Sequence, residues 1–168
     1  MISAPTSTKA SVAGRRLLLA GSASALTAVD LTVKAAAQRS LGDGQVVGLG
    51  PLDLRLVYNA GAAFSLGSSL PLWAVMIVVG VITAGVAVFA WREAPRGSLT
   101  MVFGLAAILA GAVGNLLDRA GDGVVTDYLY SGWWPTFNLA DVFITIGVVL
   151  VLGAILRSSP AAAAGRVR

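Results

Sequence analysis

The sequence predicts an all-α polytopic membrane protein of four transmembrane helices, and three observations carry that expectation. The chain of 168 residues is 57% hydrophobic and only 12% charged, far more apolar than a soluble chain of single-domain length. Its apolar residues fall into four long segments. Its basic residues gather at the segment ends and favour one side. Most of this surface must therefore meet lipid.

The first segment runs from Leu17 to about Ala37, the second from Pro71 to Trp91 and the third from Leu99 to Leu117. The fourth runs from about Val142 to Leu156, with Ala140 and Asp141 at its start. With its ends included, each reaches roughly 17–21 residues, the length of a spanning helix. Residues 1–16 are read as a disordered cytoplasmic tail, 17–157 as the transmembrane domain and 158–168 as a second cytoplasmic tail. No internal repeat or second domain is visible. A cleaved export signal is the rival reading of Arg15-Arg16, Leu17-Leu18-Leu19-Ala20 and the small residues that follow. The apolar character continues to Ala37, longer than a signal core, and losing the segment would leave an odd number of spans.

Four spans place both termini on one side. Lys9, Arg15, Arg16, Arg92, Arg96, Arg157, Arg166 and Arg168 then share that side, against Arg39, Arg55 and Arg119 on the other. The bias makes the first side cytoplasmic. The loops from Gln38 to Leu70 and from Asp118 to Leu139 should face outward. In the first of them, Leu52, Leu54 and Leu56 alternate with Asp53 and Arg55, the period of a half-buried strand. That strand is expected on the membrane surface with its leucines toward lipid. In the third segment Ala106, Ala110 and Gly114 fall four apart, a face that lets helices approach closely.

Composition also excludes chemistries. Cys and His are absent, which removes disulfides, thiol nucleophiles, His bases and the usual zinc sites. No metal or organic cofactor is implied. The net charge of +4 does not point to nucleic acid, because the basic residues form no patch or stripe. A hydrolase on this chain must use carboxylates, Lys or hydroxyls.

Ionisable side chains in lipid are expensive and point to function or to pairing. Asp30 and Lys34 lie four apart on one helical face near the outer end of the first segment. They are read first as a structural or loop-positioning ion pair. Tyr58-Asn59 and the run through Phe64-Ser65 follow the strand. Asn59 supplies an amide, and the small residues after it permit close approach by a peptide; the plain alternative is a turn at the membrane surface. Asn115, Asp118 and Arg119 share a face at the end of the third segment. Arg119 can pair with Asp118 or with a nearby carboxylate, and a polar helix end is the plain alternative.

Asp127 lies in Val124-Val125-Thr126-Asp127-Tyr128, and Asp141 in Phe137-Asn138-Leu139-Ala140-Asp141. Both acids sit among apolar neighbours on the outer side. Asn138 suits a helix N-cap, with Asp141 in the first turn complementing the helix dipole. That explains Asp141 and leaves Asp127 unexplained. Two carboxylates at close range in a low dielectric cannot easily both ionise. The charged one can take a proton from water, and the neutral one can donate to a carbonyl oxygen. Asn59, Asn115, Asn138 and Arg119 are candidates to hold such a site. The pair titrates as a unit, so acid and base are not assigned individually at this point.

Together these segments resemble the lipoprotein signal peptidase (signal peptidase II) family. The resemblance covers about Asp30 to Gly147. It rests on Asp30-x-x-x-Lys34, Asn59-Ala-Gly-Ala-Ala-Phe64, Gly114-Asn115-x-x-Asp118-Arg119, Val125-x-Asp127-Tyr128 and Phe137-Asn138-x-Ala140-Asp141, in that order. It implies an aspartyl endopeptidase of the bacterial inner membrane that acts near the outer face. The implied substrate is a diacylglyceryl prolipoprotein, cut just before its lipidated cysteine. Asp127 and Asp141 match the catalytic pair. Asn59, Asn115, Asp118, Arg119, Asn138 and Ala140 match residues around the site, and Asp30 and Lys34 a supporting pair. The loop from Gln38 to Leu70 would form a small extracytoplasmic β-sheet cradle. The expected partners are the substrate and membrane lipid, with the chain acting as a monomer. Thr126 and Val142 stand where many members carry valine and serine. The short gap between the two aspartates suggests a compact interfacial loop from Ser131 to Thr136.

Two other classes fit parts of the pattern. A small ion- or proton-coupled transporter would use intramembrane charges, but these cluster near one face and form no relay across the membrane. A non-enzymatic membrane subunit would use them only to hold helices together. Intramembrane proteases of the Gly-x-Gly-Asp kind do not fit, because no Asp here carries that motif.

Overall fold

Long apolar runs can satisfy their backbone in lipid only as helices or closed barrels, and here they form helices. The computed structural model describes residues 6–42, 44–60 and 71–158. Among them, α1 spans Thr6–Leu41, α2 Leu72–Glu93, α3 Leu99–Asp122 and α4 Leu139–Ser158. Strands β1 (Val46–Gly48), β2 (Asp53–Asn59) and β3 (Val125–Tyr130) complete the order. Among the described residues four helices are long and apolar enough to cross a membrane, with α1 counted from Val12. The small-residue run with Phe64 and Ser65, residues 1–5 and residues 159–168 lie outside the described residues.

The first helix departs from expectation at both ends. It begins at Thr6 rather than after a disordered tail ending at Arg16. Thr6–Arg16 contains no proline, and its Ala, Lys and Arg residues are good helix formers, so low hydrophobicity alone does not stop the helix. Nothing breaks it at Ala37 either. It runs on to Leu41, ahead of Gly44, whose φ of 72° favours glycine. α3 likewise continues past Leu117 and ends at Gly123, which takes φ 90° and donates its N–H to the Arg119 carbonyl. At its start, Ser98 accepts from the Met101 N–H at 3.2 Å.

α3 packs against all three other helices. Its small residues allow this, because backbone approach replaces the missing hydrophobic drive in lipid. Ala106 and Ala110 are fully buried, and Thr27 of α1 donates its hydroxyl to the Ala110 carbonyl at 3.2 Å. Gly114, on the same face, lies against the Asp30 carboxylate, where a Cβ would be 2.5 Å from Oδ2. Toward α4, Gly104 faces Gly147, and Gly111 faces the Ala140 carbonyl.

The sheet is antiparallel in the order β1-β2-β3. Val46 pairs with Arg55, and Asn59 with Val125. β2 is the strand expected from the alternating leucines. Leu54 and Leu56, however, pack against Ala37, Leu41 and Tyr128 rather than lying on lipid. The cradle also differs from expectation. Its third strand comes from the loop between α3 and α4, so the sheet draws on both of the longer loops. The β-branched and aromatic run Val125, Thr126, Tyr128 and Tyr130 suits a strand, and it gives β2 a partner.

The segment from Ser131 to Thr136 forms the expected compact loop. Gly132 turns it with φ 88°. Trp133 and Trp134 meet edge to face at 5.5 Å. A bridge between Leu129 and Phe137 closes it. Arg55 of β2 holds the loop by donating to the Thr136 hydroxyl while stacking on Tyr130 at 3.4 Å.

Candidate active site

The site forms where the C-terminal ends of α1 and α3, the N-terminus of α4 and the sheet come together. A helix N-terminus leaves four backbone N–H groups without partners, and here other elements supply them. Ala140 donates to Asp30 Oδ1 of α1 at 2.9 Å. Leu139 donates to the Tyr128 hydroxyl of β3 at 3.2 Å. Asp141 donates to the Asn138 side chain at 3.1 Å, and the Asn138 N–H returns to Asp141 Oδ2 at 3.1 Å. That reciprocal pair is a capping box. The capping role expected of Asn138 is therefore present, and it leaves Asp141 Oδ1 for another partner.

That partner is Asn115 of α3, which gives its amide NH2 to Asp141 Oδ1 at 2.9 Å. Asp127 is presented by β3 and is 3% exposed. Its Oδ1 accepts Asn138 Nδ2 at 2.7 Å, and its Oδ2 accepts Asn59 Nδ2 from β2 at 3.2 Å. Asn138 thus contacts both carboxylates, one through its side chain and one through its backbone. Pairing of β2 with β3 brings Asn59 to Asp127, so the strand the sequence did not reveal positions half of the site.

Lys34 is fully surrounded. Its ammonium lies 2.9 Å from Asp30 Oδ2 and 3.3 Å from Asp118 Oδ2, and it donates to Asn115 Oδ1 at 2.7 Å. Asp118 also accepts the Thr126 N–H at 2.7 Å and its hydroxyl at 3.3 Å. Arg119 is buried and donates from Nη2 to the Asn59 carbonyl at 3.3 Å. Ala140 is wholly buried, close to Gly111 and Gly114 of α3. All ten residues singled out in the sequence therefore converge on one place.

Two neighbours were given no role in the site. Gln38 donates to the Thr126 hydroxyl at 2.9 Å, and Thr126 is fully buried. Gln38 lies four residues after Lys34, so the Asp30–Lys34 face extended by one turn would have found it. Tyr128 uses its hydroxyl at the start of α4, a link only the fold reveals.

Electrostatics marks out Asp127. Burial pushes the Asp127 carboxyl from 3.8 up to about 6, with the Asn59 hydrogen bond opposing and the charge of Asp141 adding. Burial also raises the Tyr128 hydroxyl to about 12, so it stays protonated. Asp141 sits in the first turn of α4, where the helix end favours negative charge. The arrangement is a pair of unlike carboxylates linked by amides, suited to acid–base work on a water.

Comparison with known proteins agrees with this geometry. The family model described as Signal peptidase (SPase) II matches residues 22–157. The chain is 37% identical to the lipoprotein signal peptidase of Rhodococcus jostii, over 82% of this chain and 72% of that protein. It is 38% identical to that of Pelotomaculum thermopropionicum, over 78% of this chain and 86% of that one. Among solved structures it resembles a bacterial membrane enzyme determined by the in meso method at 2.3 Å, with a TM-score of 0.72 and 26% identity over 86% of this chain and 88% of that one. On this evidence the chain is a multi-pass membrane protein that belongs to the signal peptidase II family.

Proposed function

We propose that this protein is an aspartyl endopeptidase that removes the signal peptide from diacylglyceryl prolipoproteins, cutting before the lipidated cysteine. The observation that carries the reading is Asn138, which joins Asp127 to Asp141 at the base of a sheet-lined site. In this reading Asp141 enters the cycle charged and Asp127 protonated. Asp141 takes a proton from a water whose oxygen attacks the scissile carbonyl carbon. Asp127 gives its proton to the carbonyl oxygen. The tetrahedral intermediate collapses as the C–N bond breaks, and the proton held by Asp141 passes to the leaving amine. The hydroxyl proton of the intermediate returns to Asp127, which restores the pair.

The position of the site suits an acylated substrate. Its lipid holds the cut site at the membrane surface, where Trp133, 81% exposed, suits the interface. The proposed setting is the bacterial cytoplasmic membrane, with both termini cytoplasmic, the sheet and site at the outer face and a monomer in lipid. The positive-inside bias supports that orientation. The transporter reading gains no support, because the polar groups gather at one end of the bundle and the matched relatives carry peptidase names.

The test is cleavage of a prolipoprotein substrate by purified protein, with product mass read by spectrometry. The expected product begins at the diacylglyceryl cysteine, and the unlipidated precursor is cut far more slowly. Equal cleavage of both precursors, or cutting elsewhere, would contradict the proposed substrate class.

A further inference from the structure

Along one flank of the bundle α1, α2 and α3 leave a groove of about 520 Å3 between them, lined in part by Leu19, Ser24 and Leu31 of α1, Trp91 of α2, and Leu109 and Leu117 of α3. It shares no lining residue with the candidate active site. The lining is apolar apart from Ser24 and Thr27, and Thr27 already gives its hydroxyl to the Ala110 carbonyl at 3.2 Å. Ser24 and Leu117 are exposed, so the groove opens toward lipid. From Leu19 to Leu31 it runs for about 18 Å at the rise of a helix, close to half of a hydrocarbon core roughly 30 Å thick. Arginines close one end. Arg15 and Arg16 lie one turn before Leu19 and Ala20, on the same face of α1. Arg16 stacks over the Trp91 ring at 5.0 Å and donates Nε to the Trp91 carbonyl at 3.4 Å. Arg15 donates Nη1 to the Gly97 carbonyl at 3.0 Å. Both are half-buried, and a guanidinium has five N–H donors, so each keeps donors to spare. Arg92 and Arg96 add two exposed charges at the same end, where Glu93 is the only acid. Among the described residues none of these four arginines is paired with a carboxylate.

We propose that this groove is a binding site for an anionic phospholipid, with its phosphate at Arg15 and Arg16 and one acyl chain lying along the groove toward Leu31. The assignment needs the membrane-spanning fold and not the peptidase reading. Lipid tails are as apolar as the lining, so any lipid chain can fill the groove, and the head decides which lipid stays. Arginines without acidic partners favour a head that brings negative charge. A phosphate also matches the guanidinium fork, accepting paired N–H donors. A zwitterionic head would bring a second cation to an end already rich in them. A docked apolar helix would fill the groove and leave the arginines without a counter-ion. Bound in this way, the lipid ties α1 to α2 at the end far from the active site, adding to the Arg16–Trp91 contact.

The experiment is native mass spectrometry of the full chain, titrated in detergent with phosphatidylglycerol and phosphatidylcholine of identical acyl chains. An arginine beside an anionic head contributes about fivefold in affinity, so wild type should prefer phosphatidylglycerol by about 30-fold. Arg16→Gln should lower that preference about fivefold, and Arg15→Gln/Arg16→Gln should remove most of it. Binding of phosphatidylcholine should stay within about twofold in both, because the groove itself is intact. Arg157→Gln, at the same end of the bundle but off the groove, should leave the preference within about twofold of wild type. Ser24→Phe, which places a ring in the groove from an exposed position, should abolish the first binding step of both lipids. Equal affinity for the two lipids would overturn the proposal. Equal loss of preference in Arg157→Gln and Arg16→Gln would also overturn it, by assigning the effect to diffuse attraction. First-lipid binding that survives Ser24→Phe would show that no chain occupies the groove. A dimer of the chain that excludes lipid in wild type and vanishes in Ser24→Phe would give the groove to a second copy. If the arginine variants do not fold, wild type alone decides. Its preference for phosphatidylglycerol should hold, and soluble glycerol phosphate should not displace the lipid; displacement would remove the chain from the account and overturn it.

Discussion

Asp30 and Ala140 lie 110 positions apart in sequence, yet Asp30 Oδ1 accepts the Ala140 N–H at 2.9 Å. The intramembrane acid of the first helix is thus a cap for the last one. Its other oxygen pairs with Lys34. A missing cap typically costs about 1 kcal/mol, and an unpaired buried charge several. Asp30→Ala should therefore lower the thermal midpoint in detergent by several degrees, and Asp30→Asn, which keeps the acceptor, by less. Equal losses would show that the cap contributes little.

The α3–α4 contact should tolerate no added volume. A Cβ on Gly147 would lie 2.6 Å from the Gly104 carbonyl oxygen and 2.7 Å from an Ile108 side-chain carbon. Gly147→Val should push α4 outward, shift Asp141 from Asn115 and lower activity by at least about tenfold. A surface change such as Val149→Ala, at a residue 64% exposed to lipid, should leave activity near wild type. Matched cleavage rates check the contrast.

Asn138 contributes a cap and a contact to each acid. Asn138→Ala should reduce kcat by about 100-fold or more, in the range for losing an active-site donor, and should also lower stability by about 1 kcal/mol. Asn138→Asp should recover the cap but not the activity, because it places a third acid against Asp127. Recovery of activity by Asp would contradict the role given to Nδ2.

The raised Asp127 pKa sets a pH dependence. The folded state holds this proton to about pH 6, and the unfolded chain releases it near 3.8. The contribution to stability is full below 3.8 and is lost as pH rises through about 6. Thermal midpoints of Asp127→Asn and wild type should therefore diverge in favour of the variant between these values. In activity, kcat/KM should fall on the alkaline side through a pKa of about 6, since Asp127 must enter protonated. A flat midpoint difference across that window would contradict the assignment.

Much of this fold was legible in the sequence for a physical reason. A lipid solvent makes four apolar segments into four helices, and every charge within them conspicuous. Asp30 and Lys34 stood out for that reason, and Asn115, Asp118, Arg119, Asp127, Asn138 and Asp141 as polar groups among or beside apolar residues at the segment ends. The helix ends were harder. Thr6–Arg16 is polar and still helical, because helix propensity does not require apolar residues. β3 was hidden because Val124–Tyr128 also reads as an apolar lead-in to a span, and only pairing with β2 makes it a strand. The local Asp30–Lys34 pair and the Asn138 cap were legible, but partnerships between elements were not. Asp118 suits Arg119 by proximity in sequence, yet the fold gives it Lys34 and the Thr126 N–H.

The most direct test of the account is cleavage of a diacylglyceryl prolipoprotein by wild type, Asp127→Asn and Asp141→Asn, each purified in detergent and shown to be folded. The account predicts that wild type cuts and that both variants lose activity by about 1,000-fold or more, as expected when one member of a dyad is removed. Cleavage near the wild-type rate by either folded variant would remove that aspartate from the chemistry and contradict the central claim.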